Sequence, residues 1–157
     1  MSIPIAWGIT GASHFLYETF DVMERMANRG VVKITTYISK PGVLVVKTYG
    51  LWDKLNQISN GKYLQEIITD SERGFFLTGR FVRKIYKAFI VSPATANTVA
   101  KVVHGIADSL VTSAIAQAQK GGVSVYIVPT DQQEGFIETS LLYRVERCFN
   151  KALLLIC

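Results

Sequence analysis

Cysteine is scarce. Cys148 and Cys157 are the only two in 157 residues, too few and wrongly spaced to build a zinc or iron–sulfur site by themselves. No apolar run reaches the ~18 residues that a bilayer span needs, although 49% of the chain is hydrophobic. Charged residues make up only 18%, and no run of five basic residues occurs; Arg80, Arg83, Lys84 and Lys87 form the one local cluster. The formal charge of +5 therefore lacks the concentrated footprint of a nucleic-acid binder. It suits an anionic cofactor or an acidic electron-transfer partner. Met1-Ser2-Ile3-Pro4-Ile5 has no basic n-region, so no signal peptide is expected and the cytoplasm is the expected compartment. There the two cysteines are expected as free thiols.

Nucleotide fingerprints are missing too. Gly8 and Gly11 are followed by Ser13-His14, so G-x-G-x-x-G is not completed. Ser39-Lys40 stands where a ribose-binding Asp or Glu would follow the second strand, and the P-loop pattern G-x-x-x-x-G-K-[ST] does not occur. NAD and ATP are thereby disfavoured, and a mononucleotide with one terminal phosphate fits better.

The chain does contain an alternation of strands and helices. Residues 3–9 read as a buried strand and 13–28 as a helix with apolar residues at near-helical spacing. Residues 31–38 read as a second strand and 43–57 as a helix; 63–83 read as irregular. Residues 85–92 are nearly continuous in Ile, Tyr, Phe and Val, the pattern of a central parallel strand covered on both faces. Pro93 is expected to stop it. Helices are expected over 95–104 and 108–120, a strand over 123–128, a helix over 139–149 and a last strand over 152–156. This order predicts right-handed crossovers and an α/β fold. The expected architecture is a Rossmann-like (flavodoxin-like) doubly wound parallel sheet in three α/β/α layers, forming one domain over 1–157. So apolar and short a chain either hides surface in an oligomer or wraps a largely apolar ligand.

Ligands of open α/β sheets bind outside the carboxyl ends of the strands. Those ends read Thr10-Gly11-Ala12-Ser13, Ser39-Lys40, Ser92-Pro93-Ala94-Thr95-Ala96-Asn97-Thr98 and Pro129-Thr130-Asp131-Gln132. Three of the four concentrate small residues and hydroxyls without a carboxylate. Small residues let backbone N–H groups approach a ligand, and a helix N-terminus favours an anion. Gly11-Ala12-Ser13 with Ser39 makes a phosphate cradle, although Ser13 serves equally as an N-cap, which needs no ligand. Ala94 and Ala96 leave room for a flat ring, and Thr95, Asn97 and Thr98 offer donors and acceptors. A helix capped by Thr95 or Asn97 with no partner is the plainer alternative.

Ile9-Thr10-Gly11-Ala12-Ser13, Ser39-Lys40, the run from Val91 to Lys101 and Gly105-Ile106-Ala107-Asp108-Ser109-Leu110 resemble the flavoprotein superfamily of the homo-oligomeric flavin-containing cysteine decarboxylases. Ala6-Trp7-Gly8-Ile9-Thr10-Gly11, Val46-Lys47-Thr48-Tyr49-Gly50-Leu51-Trp52 and Tyr126-Ile127-Val128-Pro129-Thr130-Asp131 are similar to its archaeal branch, that of archaeoflavoprotein A and the acceptor-type dihydromethanopterin reductases. The resemblance implies FMN, held without a covalent bond at a subunit interface of a trimer-based homo-oligomer. It implies that Gly11, Ala12, Ser13 and Ser39 hold the phosphate, with Thr10 in the same cofactor site. Thr95, Ala96, Asn97 and Thr98 would contact the ribityl chain and ring, with Pro93 and Ala94 in the same cofactor site and Thr112 and Ser113 close by.

Three flavin chemistries follow from that superfamily: electron transfer or reduction, decarboxylation of a cysteine-containing substrate, and prenyl transfer to the flavin. The decarboxylases use a histidine before the proline turn and a P-x-M-N segment. This chain has no histidine between Gln65 and Ile90, and has Pro129-Thr130-Asp131-Gln132 after Val128. His14 opens the first helix, and His104 precedes a helix-ending glycine. The prenyl transferases carry an arginine–glutamate segment where Thr130-Asp131 stands. The expectation is electron transfer or a reductase between a ferredoxin-like donor and a protein or pterin acceptor, because a bound flavin carries that chemistry without an acid–base residue. An apolar α/β oligomer that binds an anionic metabolite without flavin is the reading from another class.

Overall fold

Ile3–Ile9 forms the first strand, β1, and its alternation decides which helices cover which face. Ile5, Trp7 and Ile9 point to one side and Ala6 to the other, and all four are buried. The structure, a computed structural model, describes residues 2–130 and the backbone of three short strands beyond them, Phe136–Glu138, Arg144–Glu146 and Leu154–Ile156. After β1 come α1 (Leu16–Asn28), β2 (Val32–Ile38), α2 (Lys40–Thr48), α3 (Trp52–Ile58), β3 (Ile67–Thr69), α4 (Glu72–Leu77) and α5 (Gly79–Val82). Then follow β4 (Ala88–Ala94), α6 (Ala96–Val103), α7 (Leu110–Gly121) and β5 (Ser124–Pro129), and the three terminal strands are β6, β7 and β8.

The main sheet runs β3-β2-β1-β4-β5-β8. The first five are parallel and β8 is antiparallel to β5 at the edge. Helices cover both faces, so the expected Rossmann-like, doubly wound architecture is present. One face packs Ile5, Trp7, Ile9, Ile34 and Ile38 against Leu16, Phe20 and Met23 of α1 and Leu55 and Ile58 of α3. The other packs Phe89, Val91 and Val125 against Phe81 and the α7 residues Leu110, Ala114 and Ile115. Strand order reverses between β1 and β4, so their carboxyl ends open the crevice where such sheets bind ligands.

Several boundaries depart from the sequence expectation, each for a local reason. The helix expected over 43–57 is two helices, because Gly50 adopts φ +69 and ends α2 before Trp52 begins α3. Helix α2 starts early: Ser39 caps it, and Pro41 is tolerated in its first turn, where N–H groups lack helical partners. Helix α1 starts late, at Leu16, behind a Phe15 with φ 60. Pro93 does not stop β4, which runs through a cis Ser92–Pro93 bond to Ala94 with a register shift against β5. The supposedly irregular 63–83 holds β3, α4 and α5; Gly74 is no breaker, since a Cβ there would lie 2.1 Å from the Thr69 carbonyl oxygen. The helix expected over 139–149 is contradicted at Arg144–Glu146, which pairs with Phe136–Glu138 as an antiparallel strand. The rest of that expectation lies outside the described residues, whereas the last strand is present as β8. No helix among the described residues is long and apolar enough to cross a membrane.

Candidate functional site

The ends of β1 and β4 are fastened to each other before any ligand is considered. Thr10 donates twice to the Pro93 carbonyl, from its N–H at 3.3 Å and from Oγ1 at 2.7 Å. The same Oγ1 accepts the Thr95 N–H at 3.0 Å. Trp7 Nε1 donates to the Ser92 carbonyl at 2.9 Å. The Thr10 hydroxyl hydrogen is thereby spent on the fold.

Around this clamp three helices begin, each capped by a hydroxyl. Ser39 Oγ accepts the Gly42 N–H at 3.2 Å, and Thr95 Oγ1 accepts the Thr98 N–H at 3.2 Å. Ser109 Oγ accepts the Thr112 N–H at 3.3 Å while Thr112 Oγ1 accepts the Ser109 N–H at 3.0 Å, a reciprocal capping box. The helix starts converge on a cleft of ≈ 260 Å3. Its walls are Thr10, Gly11, Ser39 and Pro41 on one side, Thr95, Asn97, Thr98 and Lys101 on the second, and Ser109, Val111 and Thr112 on the third. Gly11 is required here: a Cβ on it would sit 2.6 Å from the Pro41 Cβ.

No lining residue is a carboxylate, and Lys101 is the lining cation, its Nζ 2.8 Å from Asp108 at the exposed rim. That pairing holds the Asp108 carboxyl below its ordinary range. Ser39 is only 6% exposed, and its hydroxyl accepts from Gly42 but donates to no acceptor among the described residues. A buried O–H of that kind wants an acceptor, and capped helix starts favour a negative one. Such a cleft can hold a phosphate and a polyol. It offers no general acid or base beyond a lysine held in an ion pair.

The family described as Flavoprotein matches residues 1–142. The chain belongs to the Flavoprotein family. It is 49% identical over 150 residues to a dihydromethanopterin reductase (acceptor) of Methanocaldococcus jannaschii, covering 94% of this chain. It is 47% identical over 146 residues to the protein of the same name from Methanosarcina mazei, covering 91%. The chain spans 61% of the length of each. Of solved structures, Burkholderia xenovorans DmrB in complex with FMN, described as a cubic protein cage for redox transfer, superposes with a TM-score of 0.70 at 25% identity. That match covers 92% of this chain and 75% of DmrB.

In this flavoprotein the cleft gathers Thr10, Gly11, Ser39, Thr95, Asn97, Thr98 and Thr112 from the residues expected at the site. Ala12, Ser13, Pro93, Ala94, Ala96 and Ser113 do not line it. Ser13 is no N-cap either: its side chain is exposed, and its carbonyl accepts the Leu16 N–H at 3.2 Å. Pro93 contributes its carbonyl to the Thr10 clamp, and the Ala94 carbonyl accepts from Thr130 N–H at 3.0 Å. Ser113 Oγ turns away to the Ala107 carbonyl at 3.2 Å.

Sequence reasoning missed Lys101, Ser109, Pro41 and Val111. Lys101 was within reach, since it falls three residues after Thr98 and four after Asn97 on one helix face. Ser109 was too, because a serine three residues ahead of Thr112 is an N-cap signature. His14 lies exposed against the Phe15 ring at 4.0 Å, and His104 closes α6 as its exposed C-cap.

Proposed function

We propose that this chain binds one FMN, without a covalent bond, and serves in the cytoplasm as an electron carrier or reductase. The observation that carries the reading is the carboxylate-free cleft at the β1/β4 crevice, with the buried Ser39 hydroxyl hydrogen still to be donated. Ser39 and the Gly11 loop would take the phosphate. Thr95, Asn97 and Thr98 would line the ribityl chain, with Thr112 opposite. Bound FMN would supply the one- and two-electron chemistry, and the chain's task is to hold it and bias it. The clamp through Thr10 fixes the two walls relative to each other, and Lys101 favours an anion by its charge.

The cleft, at ≈ 260 Å3, is smaller than the ~300–1,000 Å3 of pockets that enclose a drug-sized ligand. Part of the flavin would then be covered by another subunit, which supports a homo-oligomer; its repeating unit is proposed to be a trimer. A second, apolar hollow of ≈ 450 Å3 beside α1, walled by Trp7, Phe15, Val22, Met26, Ile90 and Val128, supports association as well. The names of the two archaeal relatives support a pterin or a protein as the acceptor, and the basic excess of the chain supports an acidic, ferredoxin-like donor.

The test is to load the protein with FMN, reduce it with a ferredoxin system and follow reoxidation by stopped flow. Candidate protein and pterin acceptors are expected to accelerate reoxidation. Cysteine-terminated peptides are expected to release no carbon dioxide. Carbon dioxide release, with no acceptor able to reoxidise the flavin, would overturn the redox reading in favour of decarboxylation.

A further inference from the structure

Asp70 follows β3 directly, and it belongs to none of the three walls of the cleft, yet it holds two of the helices that make them. Its Oδ2 accepts the Lys40 N–H at 2.9 Å and its Oδ1 accepts the Leu110 N–H at 2.8 Å. Lys40 and Leu110 are the first residues of α2 and α7. The first-turn amides of a helix have no helical partner and are the donors a phosphate would ordinarily use. In α2 none remains: Lys40 donates to Asp70, Pro41 has no N–H, Gly42 donates to Ser39 Oγ and Val43 to the Ser39 carbonyl. In α7 Leu110 donates to Asp70, Thr112 to Ser109 Oγ and Ser113 to the Ser109 carbonyl. The cleft-lining Val111 N–H alone of that turn has no acceptor among the described residues.

We propose that Asp70 is a specificity-determining residue, a fixed anion of the chain itself that occupies the starts of α2 and α7 and limits the cleft to a single terminal phosphate. A second phosphate needs its own amide donors, and at this place they are bonded to a carboxylate that also repels it. The selection is therefore against diphosphate esters as a class, and it needs no contact with whatever lies beyond the second phosphate. This inference rests on the FMN reading only for the identity of the preferred monophosphate.

Inorganic phosphate and pyrophosphate are the probes, because they differ in the second phosphate and carry no flavin or adenosine. An anion that binds the native state raises the thermal midpoint according to its affinity. Wild-type protein is expected to be stabilised at lower concentration by phosphate than by pyrophosphate, despite the greater charge of the latter. Asp70→Asn and Asp70→Ser are expected to shift the ratio of apparent affinities toward pyrophosphate by about 10-fold, on the scale of one unit charge at a partly solvated site. Asp70→Glu, which retains the charge, is expected to retain the wild-type ratio. A general loosening of α2 and α7 would weaken both anions and leave the ratio alone. Preference for pyrophosphate by the wild type, or an unchanged ratio in a folded Asp70→Asn or Asp70→Ser protein, would overturn the proposal. FMN uptake by the wild type, read separately by visible absorbance, reports on the flavin reading, so the two failures are distinguishable.

Discussion

Arg80→Met is expected to destabilise the protein by roughly 2–4 kcal/mol, on the scale for breaking a buried ion pair by removing one partner. At this chain length that is a fall of about 5–15 °C in thermal midpoint. Arg80, on α5, is only 8% exposed, and its guanidinium meets the Glu66 carboxylate just ahead of β3 and lies 3.4 Å from the Tyr86 hydroxyl. Tyr86 in turn lies 3.2 Å from the Tyr37 hydroxyl, which is also 3.0 Å from the Leu77 carbonyl. Burial is the leading reason the Tyr37 phenol is pushed well above its ordinary range. Methionine keeps most of the buried stem but leaves a partly buried carboxylate and the Tyr86 hydroxyl short of a partner, which is the expensive way to lose an interaction. Glu66→Gln, which keeps an acceptor opposite Arg80, is expected to cost less. Chemical denaturation of the two variants and the double mutant checks this; a loss under ~1 kcal/mol for Arg80→Met would mean the network adds little.

Asn97→Asp is expected to weaken FMN binding by roughly 10–100-fold while leaving the fold intact. The second residue of α6, Asn97, is exposed, lines the cleft and makes no side-chain hydrogen bond among the described residues. A carboxylate there opposes a bound phosphate through a few kcal/mol of charge repulsion, reduced by salt because the position is open to solvent. The same carboxylate sits in the first turn of a helix, where a negative charge stabilises by about 0.3–1 kcal/mol. Affinity and stability are thus expected to move in opposite directions. Fluorescence titration with FMN, paired with a thermal melt, reads both. Unchanged affinity would remove Asn97 from the binding surface.

The layers of the fold were legible because β1, β4 and β5 are apolar along most of their length, the pattern of strands covered on both faces, and because β2 alternates in Val, Ile, Thr and Tyr. β3 was not, since three residues paired on one side leave too short a pattern. Nor were α4 and α5, where Gly74 and Gly79 read as breaks. Gly74 is in fact imposed by the approach of the Thr69 carbonyl, a tertiary constraint that local sequence does not display. The strand tails were legible as a site because hydroxyls and small residues cluster there. What each hydroxyl does was not. Thr10 spends its hydrogen on Pro93, Thr95 and Ser109 cap helices, and Ser39 keeps its hydrogen for another acceptor. Those assignments depend on which strands lie side by side. Asp70 escaped for the same reason, being 30 and 40 positions from the two amides it joins.

We propose that the cleft holds the phosphate of FMN. Titrating flavin-free protein with FMN and with riboflavin, which differ only in that phosphate, tests it directly. Loss of two or more charge-assisted hydrogen bonds, at about 1.5–3 kcal/mol each, sets the expected gap. The prediction is saturation at one FMN per chain, with riboflavin bound at least ~100-fold more weakly. Equal affinity for the two flavins, or no uptake of either, would contradict it.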